Sequence, residues 1–339
     1  MSGGVDSSAA MLLAMEKYGR DAVCGVTLCL SADHDADEKN CADAKSVCDR
    51  LGVPHVAADA RAEFERAVID YFTAEYFRGH TPNPCVVCNR EIKFGLLYGW
   101  AKEHGFDRIV TGHYAVTETV DGTAYLRRAA DARKDQSYVL AMLSQEQLAA
   151  ADFPLGGMTK PEVRGLAASH GFASASRSDS QDICFIPDGD YAAFLKKRCG
   201  IADQPGDYID ETGKILGKHK GQWQYTIGQR KGLGISMGKH VFVLDKDAEQ
   251  NRVTLGDEDG LFRTRVTVTG LNFISGHTAD PEKTYTAKLR YAHRPAPAKL
   301  TIAGNTAELT FDEPQRAPTP GQFAVVYDGD TVVCAGVIE

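Results

Sequence analysis

Several things are missing from this sequence of 339 residues, and each absence removes a class of protein. No apolar run reaches the roughly 18 residues that a membrane-spanning helix needs. The first residues carry neither a basic stretch nor a small-residue cleavage site, so none of them reads as a secretory signal. Together these predict a cytoplasmic protein with no membrane partner. The pattern G-x-x-x-x-G-K-[ST] does not occur, which excludes a phosphate loop of the Walker type. A second C-x-x-C is absent, which counts against a four-cysteine zinc site. There is no excess of basic charge either, since the formal net charge is −8. That last absence excludes little, because phosphate contacts need only a local basic face.

What is present is ordinary in bulk and particular in detail. Hydrophobic residues make up 43% and charged residues 25%, as in a typical globular protein. The length predicts two or three compact units. Nine cysteines without a secretory signal argue against a disulfide framework and for buried thiols, a metal site or catalysis. Cys24 and Cys29 fall in the apolar run Ala22–Leu30, and Cys41 and Cys48 on a helical stretch, so these four read as packing or surface thiols. Cys199 and Cys334 have no partner pattern, which leaves Cys85, Cys88 and Cys184.

Hydrophobic periodicity divides the chain. Helical patterns cover Ser7–Tyr18, Cys41–Leu51, Ala62–Phe77, Asn89–His104, Gln136–Leu148 and Lys160–His170. Between them, Ala22–Leu30, His55–Ala58 and Phe106–Thr111 read as strands, a βαβ rhythm that predicts a doubly wound parallel α/β sheet. Beyond about residue 200, β-type runs at Arg265–Thr269, Thr284–Tyr291, Lys299–Ile302, Ala307–Phe311 and Gln322–Ile338 are separated by Gly, Pro, Asn and Asp. They predict a small C-terminal antiparallel barrel. The expected units are 1–199, a β-rich connecting domain at 200–258, and the barrel at 259–339.

Three stretches carry chemistry. Ser2-Gly3-Gly4-Val5-Asp6-Ser7-Ser8 runs directly into a helix, so glycines allow close backbone approach and the helix N-terminus offers free N–H groups to an anion. Asn83-Pro84-Cys85-Val86-Val87-Cys88 precedes the apolar helix starting at Asn89; a thiol at a helix N-terminus is expected to have a lowered pKa. Cys85-x-x-Cys88 alone also suits half a zinc knuckle or a redox pair. Cys184 lies 96 residues beyond Cys88 in a comparably polar segment, Ser178–Ile186. Between Gly213 and His240 stand six Lys or Arg (Lys214, Lys218, Lys220, Arg230, Lys231, Lys239) and no Asp or Glu, with Trp223 and Tyr225 interleaved. That is a candidate RNA-facing surface.

The first stretch resembles the SGGxDS loop of the PP-loop ATP pyrophosphatases, an adenine-nucleotide α-hydrolase-like fold. Taken with Thr111-Gly112-His113-Tyr114, Lys134-Asp135-Gln136-Ser137-Tyr138, Asp182–Ile186, Tyr225–Gly234 and Thr319-Pro320-Gly321-Gln322, the chain resembles the tRNA-specific 2-thiouridylases over essentially its whole length. The resemblance implies that Ser2, Gly3, Gly4, Val5, Asp6 and Ser7 cradle pyrophosphate, and that Leu28 and Gly112 line an adenosine pocket. Asn83, Pro84 and Cys85 would meet the flipped target base. His113, Lys134, Asp135, Gln136, Arg290, Tyr291 and Gln322 would touch tRNA, and Arg230 and Lys231 fall in the basic stretch. Cys184 would carry a persulfide and Cys88 would pair with it as nucleophile.

The implied reaction uses ATP and Mg2+ to adenylate the C2 oxygen of the wobble uridine in tRNAs for Glu, Gln and Lys. A cysteine desulfurase or a sulfur relay protein would supply sulfur. An amidating ATP pyrophosphatase has no need of Cys88, Cys184 or an RNA-facing barrel. Two departures stand out. Many relatives have Asp where this chain has Cys85, and the trio Cys85, Cys88, Cys184 gives the alternative of an Fe–S cluster. The family also has an apolar strand before the loop, whereas Met1 directly precedes Ser2, so the sheet's central strand is expected upstream of the sequence given.

Overall fold

The computed structural model describes residues 1–31, 34–172 and 183–339. Gly3 takes φ +68° and Gly4 is extended, which turns the chain straight into helix α1 (Val5–Tyr18). α1 buries Val5, Ala9 and Leu12 along one side and stops at Gly19, whose φ of 88° continues no helix. Strand β1 (Gly25–Cys29) pairs in parallel with β2 (His55–Asp59), the crossover being α2 (His34–Leu51). A second parallel pair joins β3 (Ile109–Val110) to β6 (Ala151–Asp152).

The parallel α/β architecture is therefore present, but as two separate two-stranded pairs among the described residues. The amino group of Met1 donates to the carbonyl of Val26, which ties the start of the loop to β1. The strand expected over Phe106–Thr111 shrinks to two residues, because the Phe106 N–H is already used by Ala101 O at the end of the preceding helix. The single helix expected over Gln136–Leu148 is two, Ser137–Leu140 and Gln145–Ala150. Ser144 and Gln147 form a reciprocal capping box between them, a local start signal that overrides continuous periodicity.

Two longer helical rods pack over these pairs. One runs through Arg61–Phe64, the π-helical Glu65–Ile69 and Asp70–Phe77. The other runs through Pro84–Val87, the π-helical Cys88–Leu96 and Leu97–Glu103. Helix Lys160–Ser169 packs on α1 and closes this half.

After helix Tyr191–Cys199 the chain becomes β-rich. Strands β7 (Gly206–Ile209), β8 (Ile215–His219), β9 (Phe242–Asp247) and β10 (Arg252–Gly256) form one sheet in the order β8-β7-β10-β9 around Tyr208, Val243, Val253 and Leu255. The last six strands are β11 (Phe262–Phe273), β12 (Thr284–Lys288), β13 (Ala296–Ala303), β14 (Thr306–Arg316), β15 (Phe323–Asp328) and β16 (Thr331–Ile338). All their pairings are antiparallel, and β11 against β16 closes the barrel. Closure leaves no free edge and buries Val268, Leu300, Leu309, Phe311 and Val326 inside. The run Gln322–Ile338 is two strands rather than one, turning at Gly329 with φ 58°.

One attachment had no local signal. Hairpin β4 (Val116–Val120) and β5 (Thr123–Arg127) leaves the α/β half and extends the barrel's sheet at β16. Gln145 bonds to Ala124 in that hairpin and to the Ile274 carbonyl in the barrel.

Candidate active site

The Ser2–Ser8 loop is built for an anion. The N-terminus of α1 has no side-chain cap, so its first-turn N–H groups are left for another acceptor. Ser2 Oγ and Ser7 Oγ face each other at 3.2 Å, and the Ser7 and Ser8 hydroxyls donate to Gly4 O at 3.0 and 2.9 Å. Gly3 packs so closely on α2 that a Cβ there would sit 2.6 Å from Asp43 Cβ. Gly112, just beyond β3, is tighter in effect: its Cβ would meet the Asp6 carbonyl carbon at 2.7 Å. The strand end can thus lie directly on the loop only because residue 112 has no side chain. Leu28, in β1, is half-buried against the core shared with the cysteine helix.

Asp6 does not point into open solvent. Lys160 Nζ donates to both its carboxylate oxygens at 2.8 Å, and Tyr114 OH donates to Oδ1 at 2.8 Å. Sequence reasoning missed Lys160 and Tyr114; they lie 154 and 108 residues from Asp6, and no local pattern links them.

The second component is the cysteine helix. Asn83 Oδ1 accepts from the Cys85 N–H at 3.1 Å and Pro84 fills the first position, so the helix starts at Pro84, not at Asn89. Cys85 is exposed in the first turn, whereas Cys88 is a turn deeper and buried. The expectation of a lowered Cys88 pKa is therefore corrected. Burial pushes the Cys88 thiol up to about 11, the nearby Lys93 ammonium opposes this, and Cys184 and Cys85 add to the rise. Desolvation is also the largest influence on Cys85 and Cys184, and both are pushed up despite their open surfaces.

The fold closes the 96-residue gap between Cys88 and Cys184. Phe185 packs edge-on against Phe64 and Phe72, with ring centroids at 5.8 and 5.3 Å, and Ile186 is buried beside them. This apolar anchor presents the adjacent Cys184 to the cysteine helix. Ser178 to Asp182, also part of that motif, lie outside the described residues. The charge of Cys184 acts on Cys88 and that of Cys85 on both, so the three thiols share one neighbourhood.

Lys93, unassigned by sequence reasoning, bears on all three thiols, on buried His113 and on the Met1 amino group at the mouth of the loop. Among the described residues no group of three or more His, Cys, Asp or Glu side chains is arranged to hold a metal ion.

Three family models match in chain order. "tRNA methyl transferase HUP domain" covers residues 1–188, "tRNA methyl transferase PRC-barrel domain" 192–257, and "Aminomethyltransferase beta-barrel domain" 263–338. The chain is 44% identical to the tRNA-specific 2-thiouridylase MnmA of Treponema denticola over 100% of this chain and 96% of that protein. It is 43% identical to the MnmA of Clostridioides difficile, over 100% and 96%, and 45% identical to that of Moorella thermoacetica, over 100% and 98%. The chain belongs to the tRNA-specific 2-thiouridylases. A solved NMN synthetase from Francisella tularensis is a weaker likeness, with 15% identity, a TM-score of 0.34, and coverage of 59% of this chain and 74% of that one.

As a 2-thiouridylase the protein is a tRNA-uridine 2-sulfurtransferase with an ATP-using HUP domain, and no described helix is long and apolar enough to cross a membrane. The positions expected at tRNA are not equally open. Asn83, half-buried, and buried Pro84 lead into exposed Cys85, and this segment is pinned to the barrel: the Thr81 N–H donates to Pro320 O at 2.8 Å and Gln322 Nε2 to Thr81 O at 2.6 Å. Gln322 is thus an anchor of the segment that leads into Cys85. Tyr291 is exposed and close enough for its hydroxyl to respond to Cys85 and Asp135. Arg290 is half-buried and donates to Arg316 O at 3.2 Å.

Others of that set are hydrogen-bonded within the fold. His113 is buried between Phe94 and Phe153, with Nδ1 2.8 Å from Thr111 Oγ1. Burial, and secondarily Lys93, holds its imidazole neutral with a pKa well below 6.5. Asp135 is buried and accepts from the N–H groups of Ala129 and Ser137, both at 3.1 Å. Gln136 accepts from the Tyr114 N–H at 2.9 Å, which fixes the tyrosine that holds Asp6. Lys134 remains half-exposed.

The basic stretch is also reshaped. Lys218 pairs with Asp207 and Lys239 with Asp257, both at 2.7 Å, while Arg230 and Lys231 stay exposed with no carboxylate partner among the described residues. Trp223 and Tyr225 are buried, the former bonding Gln204 and packing on Phe77, so neither is a stacking platform for bases. A cleft of about 600 Å³ opens between Asp188–Ala192 and Gln224–Gln229, where the segment after Cys184 meets this stretch.

Proposed function

We propose that this 2-thiouridylase adenylates the C2 oxygen of the wobble uridine and replaces it with sulfur carried as a persulfide on Cys184. The observation that carries the reading is the single neighbourhood of the uncapped Ser2–Ser8 loop, Lys93 and the three thiols. A C2 carbonyl is a poor electrophile with a poor leaving group. ATP, entering as its Mg2+ complex, supplies the remedy. The C2 oxygen attacks the α-phosphorus, pyrophosphate leaves onto the N-terminal turn of α1, and Gly112 and Leu28 flank the adenosine.

The terminal persulfide sulfur of Cys184 then attacks C2. The Cys88 thiolate attacks Cys184 Sγ, breaking its bond to the transferred sulfur and forming a Cys88–Cys184 disulfide. The sulfur anion left on C2 collapses to C=S as the C2–O bond breaks and AMP departs. A dithiol reductant resets the pair. Cys85, exposed beside the Asn83–Pro84 turn, takes the position at the flipped base that Asp holds in many relatives, and the base's exit from the anticodon loop costs a few kcal/mol.

The reading extends to tRNAs for Glu, Gln and Lys bound through the anticodon loop, to a cysteine desulfurase or relay protein as sulfur donor, and to a cytoplasmic setting. It divides the chain at about residues 199 and 258, with Arg230, Lys231, Arg290 and Tyr291 facing RNA. Incubation of tRNA with the protein, ATP and a persulfide donor, followed by nucleoside mass spectrometry and peptide mapping, tests it. The expected products are 2-thiouridine at the wobble position, AMP, pyrophosphate and a Cys88–Cys184 disulfide in equal amounts. Thiolation with both cysteines still reduced overturns the scheme.

A further inference from the structure

Lys93 has no role in the scheme above, yet its placement is unusual in three ways. It stands five residues after Cys88 inside the π-helical stretch Cys88–Leu96. In an α-helix, residues five apart point roughly 140° away from each other. The i→i+5 register of a π-helix brings them back to nearly the same side. The register therefore turns Lys93 towards the face that carries Cys88.

Gly95 holds that register open. A Cβ at this position would lie 2.8 Å from the carbonyl oxygen of Arg90, five residues back. A side chain there would push the wide turn apart, and Lys93 would rotate with it. π-turns are rare and gather at functional sites, because their looser hydrogen bonding needs a compensating use.

The third feature is charge. Lys93 is half-buried, and no carboxylate among the described residues pairs with it. The groups on which its charge bears are instead the thiols of Cys85, Cys88 and Cys184 and the neutral His113. A half-buried ammonium with no counter-ion among the described residues costs solvation energy, and an anion formed beside it recovers that energy.

We propose that Lys93 is the positioning residue for sulfur transfer, the ammonium beside which the sulfur anions of Cys88 and Cys184 form. This rests on the persulfide reading. Attack by the terminal persulfide sulfur and by Cys88 both need an anionic sulfur, which buried, protonated thiols do not offer by themselves. Lys93 supplies the opposing charge within the cysteine helix, so it moves with the nucleophile.

The test compares Lys93→Met and Lys93→Arg with the native chain. Three rates are read: tRNA-dependent pyrophosphate release, 2-thiouridine formation, and iodoacetamide alkylation of each cysteine at pH 8 by peptide mass spectrometry. Lys93→Met is expected to lose at least about tenfold more in thiolation than in pyrophosphate release. Alkylation of Cys85, Cys88 and Cys184 is expected to slow by about three- to tenfold, since one pKa unit is a tenfold change in thiolate. Lys93→Arg should restore most of both.

Loosened packing has the opposite sign, because opening the helix exposes Cys88 and speeds its alkylation. Faster or unchanged alkylation in Lys93→Met, or thiolation at the native rate, overturns the inference. A native chain that makes no 2-thiouridine overturns the persulfide reading and this inference with it. A native chain that does, beside a Lys93→Met variant that keeps pace, overturns this inference alone.

Discussion

Lys160 grips both carboxylate oxygens of Asp6 at 2.8 Å, so a helix from late in the α/β half neutralises the only acid in the anion loop. Lys160 is nearly buried and Asp6 about one-third exposed, with side-chain exposures of 10% and 33%. Without Lys160 the carboxylate would face the incoming triphosphate uncompensated. Lys160→Met is therefore expected to cut tRNA-dependent pyrophosphate release at least about tenfold and leave tRNA affinity within about twofold, a loss on the scale of one charge-assisted hydrogen bond. Asp6→Ala should fail at the same step, and the double variant should be no worse than the poorer single one. Additive losses in that cycle would separate the two residues.

Gly112→Ala tests the close approach of strand end to loop. The new methyl would meet Asp6 backbone at 2.7 Å, where no flexible side chain can yield. Overpacking of this kind costs about 1–3 kcal/mol. The expected result is a lower melting temperature together with a raised KM for ATP. Native values for both would mean that the loop has room to shift.

The cysteines divide by role. Cys88→Ser and Cys184→Ser are each expected to abolish 2-thiouridine formation while pyrophosphate release persists. Cys85→Asp should retain substantial activity, because a carboxylate accepts a proton at least as well as a thiol that desolvation has pushed up. Anaerobically purified protein should be colourless and iron-free, in line with donors that form no metal cage. Stoichiometric iron that disappears with activity in Cys85→Ser and Cys184→Ser would replace the persulfide scheme by a cluster.

Binding of tRNA should weaken steeply with salt despite the net charge of −8. Arg230→Ala and Lys231→Ala should each lower the slope of log K against log salt by about one. Lys218→Ala and Lys239→Ala should change it less, since Asp207 and Asp257 already take up their charges. Equal effects from all four would mean that those ion pairs open on binding.

Stability should fall in mild acid. His55, His113, His219 and His293 are all shifted below the ordinary 6.5, with burial as the largest cause. The unfolded chain takes up protons near pH 6.5 while the folded chain keeps these rings neutral. Their contribution is complete above about 6.5 and is lost as the pH falls towards the folded values. Each ring can contribute a slope of about 1.4 kcal/mol per pH unit inside that window. Urea midpoints should therefore decline from pH 6.5 to 5.5. A level midpoint down to 5.5 would mean that these rings protonate within the fold.

The sequence by itself determined what depends on neighbours along the chain. Ser2–Ser8 forms an uncapped helix entry because Gly3 alone permits φ +68°, and alternation plus turn residues set the barrel strands. The family was legible in motif order. Only the tertiary structure decided the environments. Burial overrode the helix-terminus effect on Cys88, enclosed Trp223, Tyr225 and His113, and set Lys160 on Asp6. Desolvation and Coulomb energies depend on distance in space and on exclusion of water. Two residues 154 apart in sequence carry no mark of that distance until the chain has folded.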